Sequence, residues 1–206
     1  MIEFLIDEPE GKVHATLLLA HGAGAPMDSE FMNGVAAALA GQNVRVLRFE
    51  FPYMAERRRS GKKRPPDRAP ILLQTFAEAL DAAGGASLFI GGKSMGGRMA
   101  SMLAVERRCC GVICFGYPFH PPGKPEKTRL DHLAALQAPL LICQGERDPF
   151  GNREEVTAYG LPKLVQLHWL EDGNHDLAPR NKSTATLEGN RTLAVAAALA
   201  FMNREK

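Results

Sequence analysis

Short apolar runs alternate with stretches of helical spacing along most of this chain. Ala15 to Ala20, Val44 to Phe49, Ser87 to Gly91, Gly111 to Gly116, Pro139 to Cys143 and Leu164 to Leu170 read as strands, most of them continuous enough to be buried on both faces. Ile2 to Ile6 predicts an opening edge strand. Between the strands, Phe31, Val35 and Leu39 share one helical face, entered at Asp28 or Ser29 and closed by Gly41. Leu72, Leu73, Phe76 and Leu80 mark a second helix ended by Gly84 and Gly85, and Met95, Met99, Met102 and Leu103 a third. Leu130 to Leu136 and Glu154 to Tyr159 predict short helices, and Thr186 to Asn203 a long closing one. Glu56 to Pro70 reads as a basic, proline-containing loop, and the prolines between Tyr117 and Pro125 forbid a helix there.

Such alternation predicts an α/β fold: one domain over residues 1–206, built on an open, mainly parallel sheet with helices on both faces. Ligands in these sheets bind beyond the carboxyl ends of the strands, so the chemistry is to be sought there.

Composition narrows the function classes. Against 25 Lys and Arg stand 23 Asp and Glu, a formal charge of +2, which argues against nucleic acid or a membrane surface as the main partner. The opening Met1 to Asp7 lacks the features of a signal peptide, and the alanine-rich tract Ala194 to Ala200 reads as a packed helix. Cys109, Cys110, Cys114 and Cys143 form no C-x-x-C pair and sit without clustered histidines, so they read as reduced thiols rather than metal ligands. A cytoplasmic location is the matching expectation.

The candidate chemistry begins at Gly92-Lys93-Ser94-Met95-Gly96, where a strand turns sharply into a helix with a serine at the apex. The turn demands small flanking residues, which Gly92 and Gly96 supply, and it presents the Ser94 hydroxyl at a helix N-terminus. Gly92-Lys93-Ser94 also resembles the tail of a phosphate-binding loop, but that motif needs glycine where the chain has Ser87.

A serine becomes nucleophilic when a base takes its proton and an acid orients the base. In this architecture acid and base follow the serine in chain order. Asp148, in the turn after the Pro139 to Cys143 strand, is the acid of choice, with Glu146 the nearby alternative. Of six histidines, His175 follows the last strand in Asp172-Gly173-Asn174-His175-Asp176 and is the expected base. His14 and His168 read as structural or solvent-facing, while His120 and His132 fall in the proline-rich loop and a short helix. An oxyanion hole needs two convergent N–H groups; Met95 supplies one, and Ala23, or secondarily Gly22, supplies the other from the loop His21 to Pro26. His21 is expected to fasten that loop.

With these residues in view the chain resembles the α/β-hydrolase superfamily over nearly its whole length, through His21-Gly22, Gly92 to Arg98, Gly145 to Gly151 and Asp172 to Asp176. It is most similar to the small lidless branch near the dienelactone hydrolases, and to hydrolase-like domains of testis-expressed and NSL-complex-subunit type, which Gly116 to Gly123 and the arginine-rich segment also resemble. The resemblance implies a Ser94, Asp148, His175 triad; that chemistry needs no metal or organic cofactor, and the segment between Gly116 and Leu130 is too short and proline-rich for a helical cap. Dienelactone hydrolases typically carry a cysteine nucleophile, and here the position is Ser94.

The expected activity is therefore hydrolysis of an ester, thioester or related small acyl substrate. Tyr53, Tyr117, Phe119 and Phe150 are candidates to line an open site, and Arg57, Arg58 and Arg59 to meet an anionic group on a substrate or a protein partner. The alternative is a catalytically silent interaction module on a hydrolase frame, which a fluorophosphonate probe would leave unlabelled.

Overall fold

The computed structural model describes residues 2–205. One seven-stranded sheet runs in the order β1-β3-β2-β4-β5-β6-β7, with β1 at Leu5–Asp7, β2 at Ala15–Ala20, β3 at Val44–Phe49, β4 at Phe89–Lys93, β5 at Gly111–Phe115, β6 at Leu140–Gly145 and β7 at Val165–Leu170. β1 pairs antiparallel with β3, and all other neighbours are parallel. The helices are α1 (Glu30–Ala40), α2 (Pro52–Ser60), α3 (Ala69–Ala83), α4 (Met95–Glu106), α5 (Arg153–Thr157) and α6 (Leu187–Arg204).

Alternation along β2 divides the core in two. Leu17 and Leu19 face α1 and α6 with Val46, Ile113, Ala198 and Phe201, whereas Leu18 and Ala20 face α3 and α4 with Phe76, Ile90, Met99 and Leu103. The chain steps from β2 outward to β3, then returns past β2 to β4 and continues to β7. Right-handed crossovers in opposite directions put α1 on one face and α3 and α4 on the other, leaving a switch point between β2 and β4. The segments leaving those two strands are the two that carry His21 to Pro26 and Ser94.

Two expectations need correction. The basic segment is not loop at its start: Arg57 to Arg59 form the last turn of α2, whose entry is set by Pro52 and whose end is set by Gly61 at φ 69°. Arginine is a good helix former, and cations at a helix C-terminus offset the macrodipole, so a charge run here extends the helix instead of breaking it. The short helix around Leu130 is a 3-10 turn, Asp131–Ala135, because Ala138 precedes Pro139 and the chain must return to an extended path within a few residues. No helical insertion lies between β5 and that turn among the described residues, so the sheet carries no cap domain. No helix among them is long and apolar enough to cross a membrane.

Candidate active site

Ser94 sits between β4 and α4 at φ 52° and ψ −115°, a backbone conformation that costs a residue with a Cβ about 1–3 kcal/mol. The neighbours hold it there. A side chain at Gly92 would come within 2.5 Å of the Ala20 carbonyl oxygen, and one at Gly96 within 2.6 Å of that of His21. Only hydrogen atoms let β2, β4 and α4 approach so closely, and this packing turns the Ser94 hydroxyl outward at the start of α4.

The β6 and β7 ends bring two further side chains to it. His175 Nε2 lies 2.8 Å from Ser94 Oγ, and His175 Nδ1 lies 2.8 Å from Asp148 Oδ2. Asp148 is fully buried; its Oδ1 accepts the Phe150 N–H at 2.8 Å and its Oδ2 accepts Gln144 Nε2 at 2.9 Å. A buried carboxylate without partners would be costly, and these contacts satisfy its oxygens while leaving one of them aimed at His175. The Phe150 ring stacks on the imidazole at 4.2 Å between centroids. Glu146, the alternative acid, points elsewhere: it accepts Arg153 Nη1 at 2.6 Å and the Asp172 N–H at 3.0 Å.

The loop carrying His175 is tied down by residues that motif reading passed over. Lys93, 7 % exposed, donates from Nζ to the His175 carbonyl oxygen at 2.7 Å and reaches Asp176 Oδ1 at 3.2 Å. Burial lowers its pKa, and the nearby Asp176 and Asp148 carboxylates oppose that shift. Gly116, at φ 68°, leaves the room: a Cβ there would lie 2.7 Å from the His175 oxygen and 3.1 Å from Lys93 Nζ. Asp172 accepts Arg180 and Arg147 and is held down to about 2, chiefly by the Arg180 hydrogen bond. Asn190, buried in α6, donates to the carbonyls of Glu171 and Leu177. A lysine and a glutamine inside otherwise apolar strands were the available signals for Lys93 and Gln144, since buried polar residues need dedicated partners. Lys93→Met keeps the volume but leaves the His175 carbonyl unpaired. It is expected to lower kcat about tenfold and to speed amide exchange over residues 172–178, with unchanged exchange there excluding Lys93 as the anchor.

The loop after β2 packs on the same point. A Cβ on Gly22 would lie 3.7 Å from Ser94 Cβ. The Gly22 carbonyl accepts His21 Nδ1 at 2.7 Å and the Tyr53 hydroxyl at 3.3 Å, and the Ala23 carbonyl accepts the same hydroxyl at 3.0 Å. In a trans peptide the N–H points opposite to the preceding C=O, so the Ala23 N–H faces away from Tyr53. His21 Nε2 accepts the Phe51 N–H at 3.1 Å, which assigns its proton to Nδ1, and burial lowers its pKa so that it stays neutral. His21 and Tyr53 thus fasten the loop. Met95 opens α4, where its N–H has no partner within the helix.

Of the aromatic residues expected to line the site, Phe150 does touch it. Tyr53, Tyr117 and Phe119 are core residues, 2 % exposed or less, because their rings fill the space under the loops while their polar atoms are used internally. Arg58 is occupied by Asp28 and Glu50, and Arg59 by Glu56. Arg57 meets the Gly24 carbonyl at 3.5 Å and has no carboxylate within ion-pair distance among the described residues. His120 meets Glu155 at 3.3 Å. Among the described residues no group of three His, Cys, Asp or Glu side chains is placed to hold a metal ion. A cavity of about 560 Å³ opens between α1 and α6, lined by Val35, Ala38, Val195 and Leu199, and includes none of the residues around Ser94.

His132 pairs instead with Ser101 Oγ at 2.8 Å, behind α4. Burial, reinforced by Arg98, pushes its pKa down from 6.5 to about 4. The unfolded chain therefore takes up a proton between those values that the folded chain refuses, so stability falls as pH is lowered from 6.5 to 4. His132→Gln is expected to flatten that part of a Tm-against-pH curve; an equally steep curve would place the acid sensitivity elsewhere.

The profile of a family described as an alpha/beta hydrolase domain matches residues 13–203. Among solved structures, the chain is similar to a serine hydrolase without lid from Xanthomonas campestris, at 21 % identity and TM-score 0.70, covering 98 % of this chain and 88 % of that one. It is similar to a dienelactone hydrolase from Anabaena variabilis, at 20 % identity and TM-score 0.70, covering 97 % of each chain. An alpha-beta serine hydrolase homologue from Coxiella burnetii matches at 18 % identity and TM-score 0.70, over 95 % of this chain and 91 % of that one. At these identities the structural likeness speaks for the fold.

Proposed function

Because this chain belongs to the alpha/beta hydrolase domain family, we propose that it is a serine hydrolase that cleaves an ester, thioester or related acyl compound through Ser94, His175 and Asp148. The single observation carrying this reading is the unbroken hydrogen-bonded line from Ser94 Oγ to His175 Nε2 and from His175 Nδ1 to Asp148 Oδ2, 2.8 Å at each step.

The chemistry follows from that line. With the Nδ1 proton donated to Asp148, the Nε2 lone pair is free to accept the Ser94 proton as the oxygen attacks the acyl carbon. The resulting oxyanion is stabilised by the N–H groups of Met95 and Ala23, with Gly22 placing the loop against Ser94; each such donor contributes about 3 kcal/mol at the transition state. The imidazolium returns its proton to the leaving group, an acyl ester on Ser94 remains, and water activated by His175 releases the acid. Ser94 and His175 are only half-buried and no cap covers them, which supports an open site that admits substrate without a lid movement.

A fluorophosphonate probe tests the reading. Intact protein is expected to gain one adduct, and peptide mass spectrometry to find it on Ser94. A folded protein that takes up no probe over hours would overturn the proposal.

A further inference from the structure

Against α2 lies a cavity of about 340 Å³ lined by Pro26, Met54, Arg57, Arg58, Gly61, Lys62 and Lys63, a lining that stops short of the residues around Ser94. Its charges are one-sided. Arg58 is neutralised by Asp28 and Glu50, whereas Arg57, Lys62 and Lys63 have no carboxylate within ion-pair distance among the described residues. No acid belongs to the lining at all. Offsetting the α2 dipole does not require this, since Arg58 and Arg59 already stand in the last turn.

The loop after β2 links the cavity to Ser94, against which Gly22 packs. Arg57 Nη1 contacts the Gly24 carbonyl, and Pro26 forms part of the wall, so one loop carries the Ala23 N–H at one end and borders the cations at the other. Three residues from Ala23 to Pro26 span at most about 10 Å. Gly61, left-handed at φ 69°, ends α2 and sends Lys62 and Lys63 out along the cavity rim.

We infer that this cavity receives an anionic tail on the acyl part of the substrate, a carboxylate or a phosphate-like group held by Arg57, Lys62 and Lys63 while the acyl carbon lies at Ser94. The inference rests on the hydrolase reading above. It assigns the substrate class as an acyl chain with an acidic far end, long enough to follow the loop from Ala23 to Pro26. Held by exposed side chains, the tail is worth little per charge, and three cations together yield about a tenfold preference.

The experiment compares kcat/KM for p-nitrophenyl hemisuberate, ω-phosphonoheptanoate and octanoate, which share a leaving group and nearly share a length. The expected result is an anionic-to-neutral ratio of about ten that collapses towards one in a Lys62→Gln, Lys63→Gln double variant and at 1 M salt, where the Debye length is about 3 Å. The charge-reversing Lys62→Glu, Lys63→Glu pair is expected to invert the ratio. Preference for the hemisuberate marks a carboxylate site and preference for the phosphonate a phosphate site; either supports the inference. Protein that labels at Ser94 but shows a ratio near one, or a ratio the variants leave alone, overturns the tail site and leaves the hydrolase reading intact. So does a double variant that keeps the ratio and loses only retention on heparin, which would make the patch a docking face for polyanions. Protein that neither labels nor turns over any of the three esters overturns both.

Discussion

Ser94→Ala is expected to end fluorophosphonate labelling and to lower kcat for an activated ester by about 10⁵-fold, because it removes the hydroxyl that His175 Nε2 meets at 2.8 Å. In the proposed mechanism the residual rate is expected from the N–H groups at Met95 and Ala23, which would still polarise a bound carbonyl for attack by water. Stability separates this chemical effect from a folding defect. Alanine keeps a Cβ at φ 52°, so it retains the backbone strain and loses one hydrogen bond, and its Tm should stay within a few degrees of the parent. Ser94→Gly relieves the strain at the cost of chain entropy, and a net gain of about 1 kcal/mol is expected in urea unfolding. An inactive glycine variant that is more stable than the parent is thus the signature of a residue kept for its oxygen. Retention of labelling in Ser94→Ala would remove Ser94 from the reaction.

Asp148→Asn is expected to cost about 10⁴-fold in kcat although it changes the side chain's shape very little. The amide cannot satisfy the site in either orientation. With its NH₂ where Oδ2 lies, it faces the Gln144 NH₂ and obliges His175 to offer the Nδ1 lone pair, which moves the ring proton to the nitrogen that should receive Ser94's. With its NH₂ where Oδ1 lies, it opposes the Phe150 N–H. A buried donor left unpaired costs about 1–3 kcal/mol, so a lower midpoint in urea accompanies the loss of rate. Activity within tenfold of the parent would take Asp148 out of the proton path.

Read along the chain, the strands and most helix positions were legible because they depend on neighbours in sequence. Ala15–Ala20 and Val44–Phe49 have the bounds that their apolar runs suggest, and the last helix starts where its pattern does, with Thr186 accepting the Gly189 N–H at 3.0 Å. Ser94 was legible for the same reason, since Gly92 and Gly96 are demanded by a turn of five residues. The role of Tyr53 was not. An aromatic side chain after a strand can line a pocket or fill the space beneath a loop, and only the path of His21 to Pro26 over its hydroxyl decides between them. Arg58 likewise reads as a free cation until Asp28 and Glu50 are brought beside it.

The order of elements, the parallel sheet and the serine at its rim follow from local sterics and from the period of apolar positions, which act over a few residues and are written directly in the chain, while chain order pointed to His175 and to Asp148 with Glu146 left open. Where Lys93, Asp148 and Ser94 meet His175, and which of Arg57, Arg58 and Arg59 remains unpaired, was decided by the folded chain alone. The Lys93 ammonium and the His175 carbonyl are 82 positions apart. Their contact depends on how close β4 and β5 lie to the last loop, and that distance is set by packing of the whole sheet against its helices rather than by any neighbouring residue.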